Sequence, residues 1–202
     1  MSGLDATALK AGLARICDRL EADADMLNAA DAKLGDGDLG VTMRRGARAV
    51  RDKLDTLPDD VGMALMKCAQ AFTKTSGSSY GTLLATGLMS AAKACKGRQQ
   101  VPWAEVAGLI GGAREAMQAR GKAELGEKTV LDALEAARAA ADGVAEPAAL
   151  LVAVDTGVTA ALDDFRDQPA KQGRARMFGD KSVGLDDPGM LALHSVVEGL
   201  KP

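Results

Sequence analysis

Asp31-Ala32-Lys33-Leu34-Gly35-Asp36-Gly37-Asp38-Leu39-Gly40 interrupts a chain otherwise written almost wholly in helical periods. Upstream, Leu9, Leu13, Ile16, Leu20, Ala24 and Leu27 recur at helical spacing, so Thr7 to Ala30 reads as one amphipathic helix. Downstream, Val41 to Leu54 reads as a second helix. The alternation continues. Pro58 opens a third helix to about Thr73, and a polar loop from Lys74 to Ser79 follows. Tyr80 to Lys96 is helical and is ended by Gly97; Pro102 starts another helix to about Gln118. Ala123 to Lys128 is a loop, Thr129 to Ala141 a helix, and Pro147 opens the next, to about Phe165. Asp167 to Asp187 is a long loop, and Pro188 begins the last helix. That makes about eight helices and no strand signal.

Composition agrees with an all-α fold. Alanine supplies 39 of the 202 residues and aromatics only 2%. Alanine is the best helix former, whereas strand cores lean on β-branched and aromatic side chains. Short connections favour antiparallel neighbours, so the expectation is an up-and-down bundle forming one domain over residues 1–202. In that topology every second loop lies at the same end. The breaks near 35, 77 and 126 and the long one at 173–189 should then share one rim.

The same numbers exclude several functions. With 47% apolar and 26% charged residues, disorder, collagen and coiled coil fit poorly. A net charge of -3 argues against nucleic acid as the main partner. No apolar run is long enough to span a membrane, and the first residues lack the pattern of a signal peptide. Cys17, Cys68 and Cys95 are odd in number and widely spaced, so they read as buried thiols of a reducing, cytoplasmic compartment.

The chemistry concentrates in the breaks. Asp31, Asp36 and Asp38 crowd three carboxylates into eight residues, where they repel one another unless a cation lies between them. Hard oxygen donors of this kind suit Mg²⁺ or Ca²⁺, and the EF-hand pattern is not met. The plainer alternative is a solvated Gly/Asp turn capping a helix. Thr75-Ser76-Gly77-Ser78-Ser79-Tyr80-Gly81-Thr82 precedes a helix and fits either an anion at exposed N–H groups or a simple N-cap loop. It lacks the Gly-Lys-Ser/Thr ending of a Walker A loop. Gly126 to Asp132, Gly173 to Ala175, Gly179 to Gly184 and Asp187 to Gly189 each pass alone as loop chemistry. Together, four such segments at helix ends are hard to treat as coincidence. His194 lies in an apolar helical stretch and reads as structural, not catalytic.

In order along nearly the whole chain, these segments resemble the nucleotide-binding L-type domain of dihydroxyacetone kinases. The family pattern L-D-x-x-x-G-D-G-D-H-G-x-N-M is matched from Ala30-Asp31 to Gly40 and Met43, and S-G-x-x-Y-G-T from Ser76 to Thr82. G-D-K-T-M-L-D-A-L is matched from Gly126 to Leu134, with Glu127 and Val130 substituted. G-R-A and G-E-R-S-x-G-x-x-D-P-G are matched from Gly173 to Ala175 and Gly179 to Gly189, with Asp180 and Lys181 substituted. The resemblance implies an antiparallel eight-helix barrel holding ADP or ATP with two Mg²⁺ at one end. Asp31, Asp36 and Asp38 would be the metal ligands and, with Arg174, the catalytic set. Ser76 and Gly77 would meet the phosphates, and Thr129 and Val130 the adenine. Arg174 and Asp187-Pro188-Gly189 would close the site. Leu39 and Thr42 stand at two cofactor-side positions where the family has His and Asn. Leucine can neither donate a proton nor bond a phosphate.

The resemblance further implies a kinase subunit acting with a separate K-type subunit, which holds a small ketose through a covalent histidine. ADP would stay bound as a coenzyme, rephosphorylated by a phosphoenolpyruvate-linked carrier protein. The alternatives are an ATP-exchanging triose or tetrulose kinase subunit, a non-catalytic nucleotide sensor, and a helical scaffold whose acidic loop binds Ca²⁺.

Overall fold

A computed structural model describes residues 3–75 and 77–202, which places Ser76 outside the described residues. Among these, nine α-helices run in the order α1 (Ala6–Ala22), α2 (Ala24–Leu34), α3 (Leu39–Arg51), α4 (Val61–Thr75), α5 (Ser79–Ala94), α6 (Val106–Gly121), α7 (Val130–Ala141), α8 (Pro147–Arg166) and α9 (Pro188–Leu200). From α3 onward each helix packs on its sequence neighbours, α1 packs on α3, and α9 returns to α1. The result is the expected closed up-and-down barrel, with α1 and α2 together forming one stave.

The single helix expected from Thr7 to Ala30 is thus two. The break falls at Asp23, whose carboxylate is drawn aside by Arg19 Nε at 2.6 Å and by Ser195 Oγ of α9 at 2.7 Å. Helix α2 then continues to Leu34, beyond the expected stop, so Asp31 rides on a helical turn and not in the loop. Pro58 does not open α4. Asp60 does, accepting the Met63 N–H at 2.8 Å, since a side-chain oxygen satisfies a first-turn amide that proline only omits. After Pro102 comes a 3₁₀ turn, Trp103–Glu105, before α6. Pro147 and Pro188 open α8 and α9 as expected.

One short antiparallel pair, β1 (Leu4–Asp5) with β2 (Gln100–Val101), was not expected. Two residues a side carry no readable alternation. The long loop contains a 3₁₀ segment, Ala175–Ser182, turned at Gly179 with a φ of 51°.

Small residues let the staves approach closely. Ala133, Ala137 and Ala141 of α7 meet Leu150, Val154 and Val158 of α8 in one buried cluster. A second cluster gathers Leu20, Leu27, Met43, Val61, Phe72 and the three cysteines. All three thiols are free and buried, and burial pushes Cys17 up to about 11 and Cys68 up to about 12. Among the described residues no helix is long and apolar enough to cross a membrane.

Candidate functional site

At one end of the barrel lies a cavity of about 1020 Å³. The first residues of α3, α5, α7 and α9 (Leu39, Ser79, Val130 and Pro188) all line it. So do the last residues of α2, α4 and α6, and the stretch Gln172 to Arg176 of the long loop. The shared rim expected from loop alternation is therefore present. Four helix N-termini, the positive ends of their dipoles, thus border one space together with three helix C-termini.

On the same rim stand Asp31, Asp36 and Asp38, with one carboxylate oxygen of each within 4.8 Å of the others. Asp31 Oδ2 accepts the N–H groups of Asp38 at 3.0 Å and Leu39 at 3.3 Å, and Asn28 Oδ1 accepts that of Val41 at 3.1 Å. One stave thus caps the next. The capping alternative is therefore observed for Asp31, and the cap takes only one of its two carboxylate oxygens. Gly37 supplies a φ of 76° to the turn. Gly40 lets α3 touch α2: a Cβ there would lie 1.8 Å from the Ala24 carbonyl oxygen.

Asp36 and Arg174 are ion-paired across the mouth. The guanidinium hydrogen bond holds the Asp36 carboxyl below the usual range and raises Arg174 in turn. Both side chains are largely exposed, at 46% and 61%, so the pair is open to exchange for another cation and another anion. An all-oxygen donor set with Asp36 and Asp38 exposed fits Mg²⁺, which keeps waters and shares phosphate oxygens.

The structure brings the remaining sequence candidates to the same cavity. Thr42 and Leu39 are both on its wall, though buried, and Leu39 belongs to the core cluster. Gly77 lies at the mouth, exposed. Thr129 caps α7 through a capping box: its hydroxyl accepts the Leu131 N–H at 3.2 Å, while Asp132 Oδ2 accepts the Thr129 N–H at 2.8 Å. Val130 beside it is buried. Asp187 caps α9 by accepting the Met190 N–H at 2.9 Å, and desolvation pushes it up to about 6. Pro188 and Gly189 complete that turn, and the Tyr80 hydroxyl donates to the Gly189 carbonyl at 2.9 Å.

Sequence reasoning passed over several residues. Arg45, Arg120 and Arg176 line the cavity, but they sit in ordinary helical or loop stretches without a motif. Asp132 was part of a motif without a task; it holds the Gly126 N–H at 2.6 Å and so fixes the turn before α7. Lys128 is buried, with three carbonyl partners described below.

His194 lies with Asp155 and Glu198 in a second group of possible metal ligands. Lys201 already binds both carboxylates of that group, and Arg19 lies 3.5 Å from Glu198. None of these residues lines the cavity.

The fold and site define a helical barrel with three clustered carboxylates and four helix starts around a cavity at one end. The DAK2 domain model matches residues 33–201, and the chain belongs to that family. It is 30% identical over 203 residues to the PEP-dependent dihydroxyacetone kinase, ADP-binding subunit DhaL, of Escherichia coli K12, covering 98% of this chain and 96% of the relative. It is 33% identical over 197 residues to human triokinase/FMN cyclase, covering 93% of this chain but 33% of that longer protein. Among solved structures, the dihydroxyacetone kinase of C. freundii in complex with AMP-PNP and Mg²⁺ superposes with a TM-score of 0.74 at 26% identity. That match covers 96% of this chain and 33% of the kinase, so the chain spans about a third of its length.

Proposed function

We propose that this chain is the nucleotide-binding subunit of a dihydroxyacetone-type kinase. Three carboxylates converging beneath four helix N-termini carry the reading. A polyanion with bound cations suits the helix N-termini and the carboxylates together. Asp31, Asp36 and Asp38 would hold two Mg²⁺, and the N-termini of α3 and α5, with Ser76 and Gly77, the phosphates. Bound Mg²⁺ would neutralise phosphate charge and fix its geometry during transfer. The wall around Thr129 and Val130 receives the base, and Arg174 leaves Asp36 to meet the transferring group. The acceptor hydroxyl of a small ketose attacks the terminal phosphorus of ATP, its proton passing to an oxygen of the transferred phosphoryl group, the bond to the ADP oxygen breaks, and ADP remains. Leu39 is packed in the core and contributes no proton, so binding and positioning carry the catalysis.

The ketose would sit on a separate K-type subunit, and a phosphoenolpyruvate-linked carrier would restore the nucleotide. The near-full-length match to a PEP-dependent, ADP-binding subunit supports that cycle. The 33% identity to triokinase/FMN cyclase favours the second reading, in which ATP exchanges freely. Gel filtration of the protein loaded with labelled ADP separates the two. Retained label that turns over with a phosphoenolpyruvate-linked carrier supports the coenzyme cycle. Rapid loss of label, with ATP alone sustaining ketose phosphorylation by the assembled subunits, supports exchange.

A further inference from the structure

Lys128 has no task in the chemistry above, yet it is 1% exposed with a backbone φ of 62°. Burying an ammonium is costly unless each N–H finds a partner. Here all three do. Lys128 Nζ donates to the carbonyls of Arg166 at 2.9 Å, Gln168 at 2.8 Å and Ser182 at 2.9 Å. Among the described residues no carboxylate forms an ion pair with it. Arg166 is the last residue of α8, so the charge also meets the negative end of that helix.

The three carbonyls are not neighbours in sequence. Arg166 and Gln168 stand where the long loop leaves α8, and Ser182 stands where it returns. Further bonds close the same junction: Gly184 N–H to Arg166 O at 2.9 Å, Ala170 N–H to Ser182 Oγ at 2.7 Å, and Lys171 N–H to Glu127 O at 3.1 Å. The loop is therefore a strap with both ends fastened at one buried ammonium, and its outer part carries Arg174 to Asp36. On its other side Lys128 adjoins Thr129, the cap of α7 on the cavity wall.

We infer that Lys128 is a positioning residue: by fastening both ends of the 167–184 strap to the cavity wall, it holds Arg174 over the carboxylate cluster without touching ligand. This rests on the nucleotide reading above only for its effect on affinity; the fastening itself is a property of the free protein.

The test uses the full chain carrying Lys128→Met, Arg174→Ala or both, with Lys128→Arg as a milder change that keeps the charge but misplaces the donors. Hydrogen exchange on the ligand-free protein should show the amides of Ala170, Lys171 and Gly184 exchanging about tenfold faster or more in Lys128→Met, while those of α4 hold their rates. Calorimetry should show Mg-ADP affinity falling by about tenfold in Lys128→Met, but less than about twofold when Arg174 is already alanine. Unchanged strap exchange overturns the inference. Equal losses of affinity in both backgrounds overturn it too, leaving Lys128 as core support alone. If Lys128→Met does not fold, Lys128→Arg is read by the same two criteria. Wild-type protein that binds no Mg-ADP sinks the nucleotide reading instead, and the exchange rates still decide the fastening.

Discussion

The hydroxyl of Tyr80, at the start of α5, donates to the main-chain carbonyl of Gly189, at the start of α9, across 2.9 Å and 109 positions of sequence. Burial raises the phenol far above its usual range, so it remains a donor at every working pH. The ring also lies against Gly189, where a Cβ would come within 3.0 Å of it. Tyr80→Phe keeps the ring and removes the hydrogen bond that ties the two helix starts. We expect a loss of about 0.5–1.5 kcal/mol in urea unfolding. Mg-ADP affinity should fall as well, because the two helix starts would no longer be tied.

The exposed Asp36–Arg174 pair should matter for ligand and little for the free fold. Asp36→Asn should leave the melting temperature of the free protein nearly unmoved, as exposed pairs contribute little. The same change should weaken Mg-nucleotide binding by about tenfold or more in a calorimetric titration. Unchanged affinity would remove Asp36 from the cation site.

Mg-ADP should stabilise the barrel by mass action. At a concentration about 100 times its dissociation constant the gain is about 2.7 kcal/mol. For a chain of this size that is a rise on the order of 5–11 °C in a thermal melt. Chelating Mg²⁺ should abolish most of the rise, since ADP alone would add negative charge beside three carboxylates.

Gly40 and Gly108 should respond oppositely to alanine. At Gly40 the new methyl would meet the Ala24 carbonyl oxygen at 1.8 Å, forcing α2 and α3 apart. We expect a loss of about 3 kcal/mol or more. At Gly108, in α6, nothing lies within 4 Å, so alanine should stabilise by roughly 0.4–1 kcal/mol. Chemical denaturation of the two variants side by side checks both.

Asp187 gives the fold a pH dependence of defined sign. Its folded value, about 6, lies above the unfolded value near 3.8, so the folded state holds the proton more tightly. The stabilisation from protonation is full below about pH 3.8 and is lost as pH rises through about 6. Asp187→Asn keeps a capping oxygen and removes the charge. It should flatten the fall in stability between pH 5 and pH 7, by on the order of 1 kcal/mol, in paired urea titrations.

Helix alternation was legible because alanine-rich amphipathic periods leave little else for those segments to become. The rim was legible for a related reason: antiparallel staves with short loops put every second break at the same end. The kink at Asp23 was not. Asp23 is bonded to Ser195, 172 positions away, and no local pattern announces a hydrogen bond of that separation. The carboxylate cluster could be read from charge density in a glycine-rich break, but the double duty of Asp31 could not, since its cap reaches Asp38 and Leu39 on the next helix. Arg45 and Arg120 went unread because a basic residue on a helix looks the same whether it faces water or a cavity.

The strand pair places Leu4 beside Gln100–Val101, in the connection between α5 and α6 at the end of the barrel away from the mouth. At the other terminus, α9 starts at the mouth and runs about 20 Å from it before Lys201. Leu4 and Lys201 therefore both lie away from the entrance. A domain tethered there could be appended or shed without remaking the ligand chamber, consistent with relatives in which this barrel is a whole subunit in one case and a third of the polypeptide in another. It would also have to swing around the staves to bring anything to the mouth. For a tethered acceptor, the reach of the linker thus becomes part of the turnover.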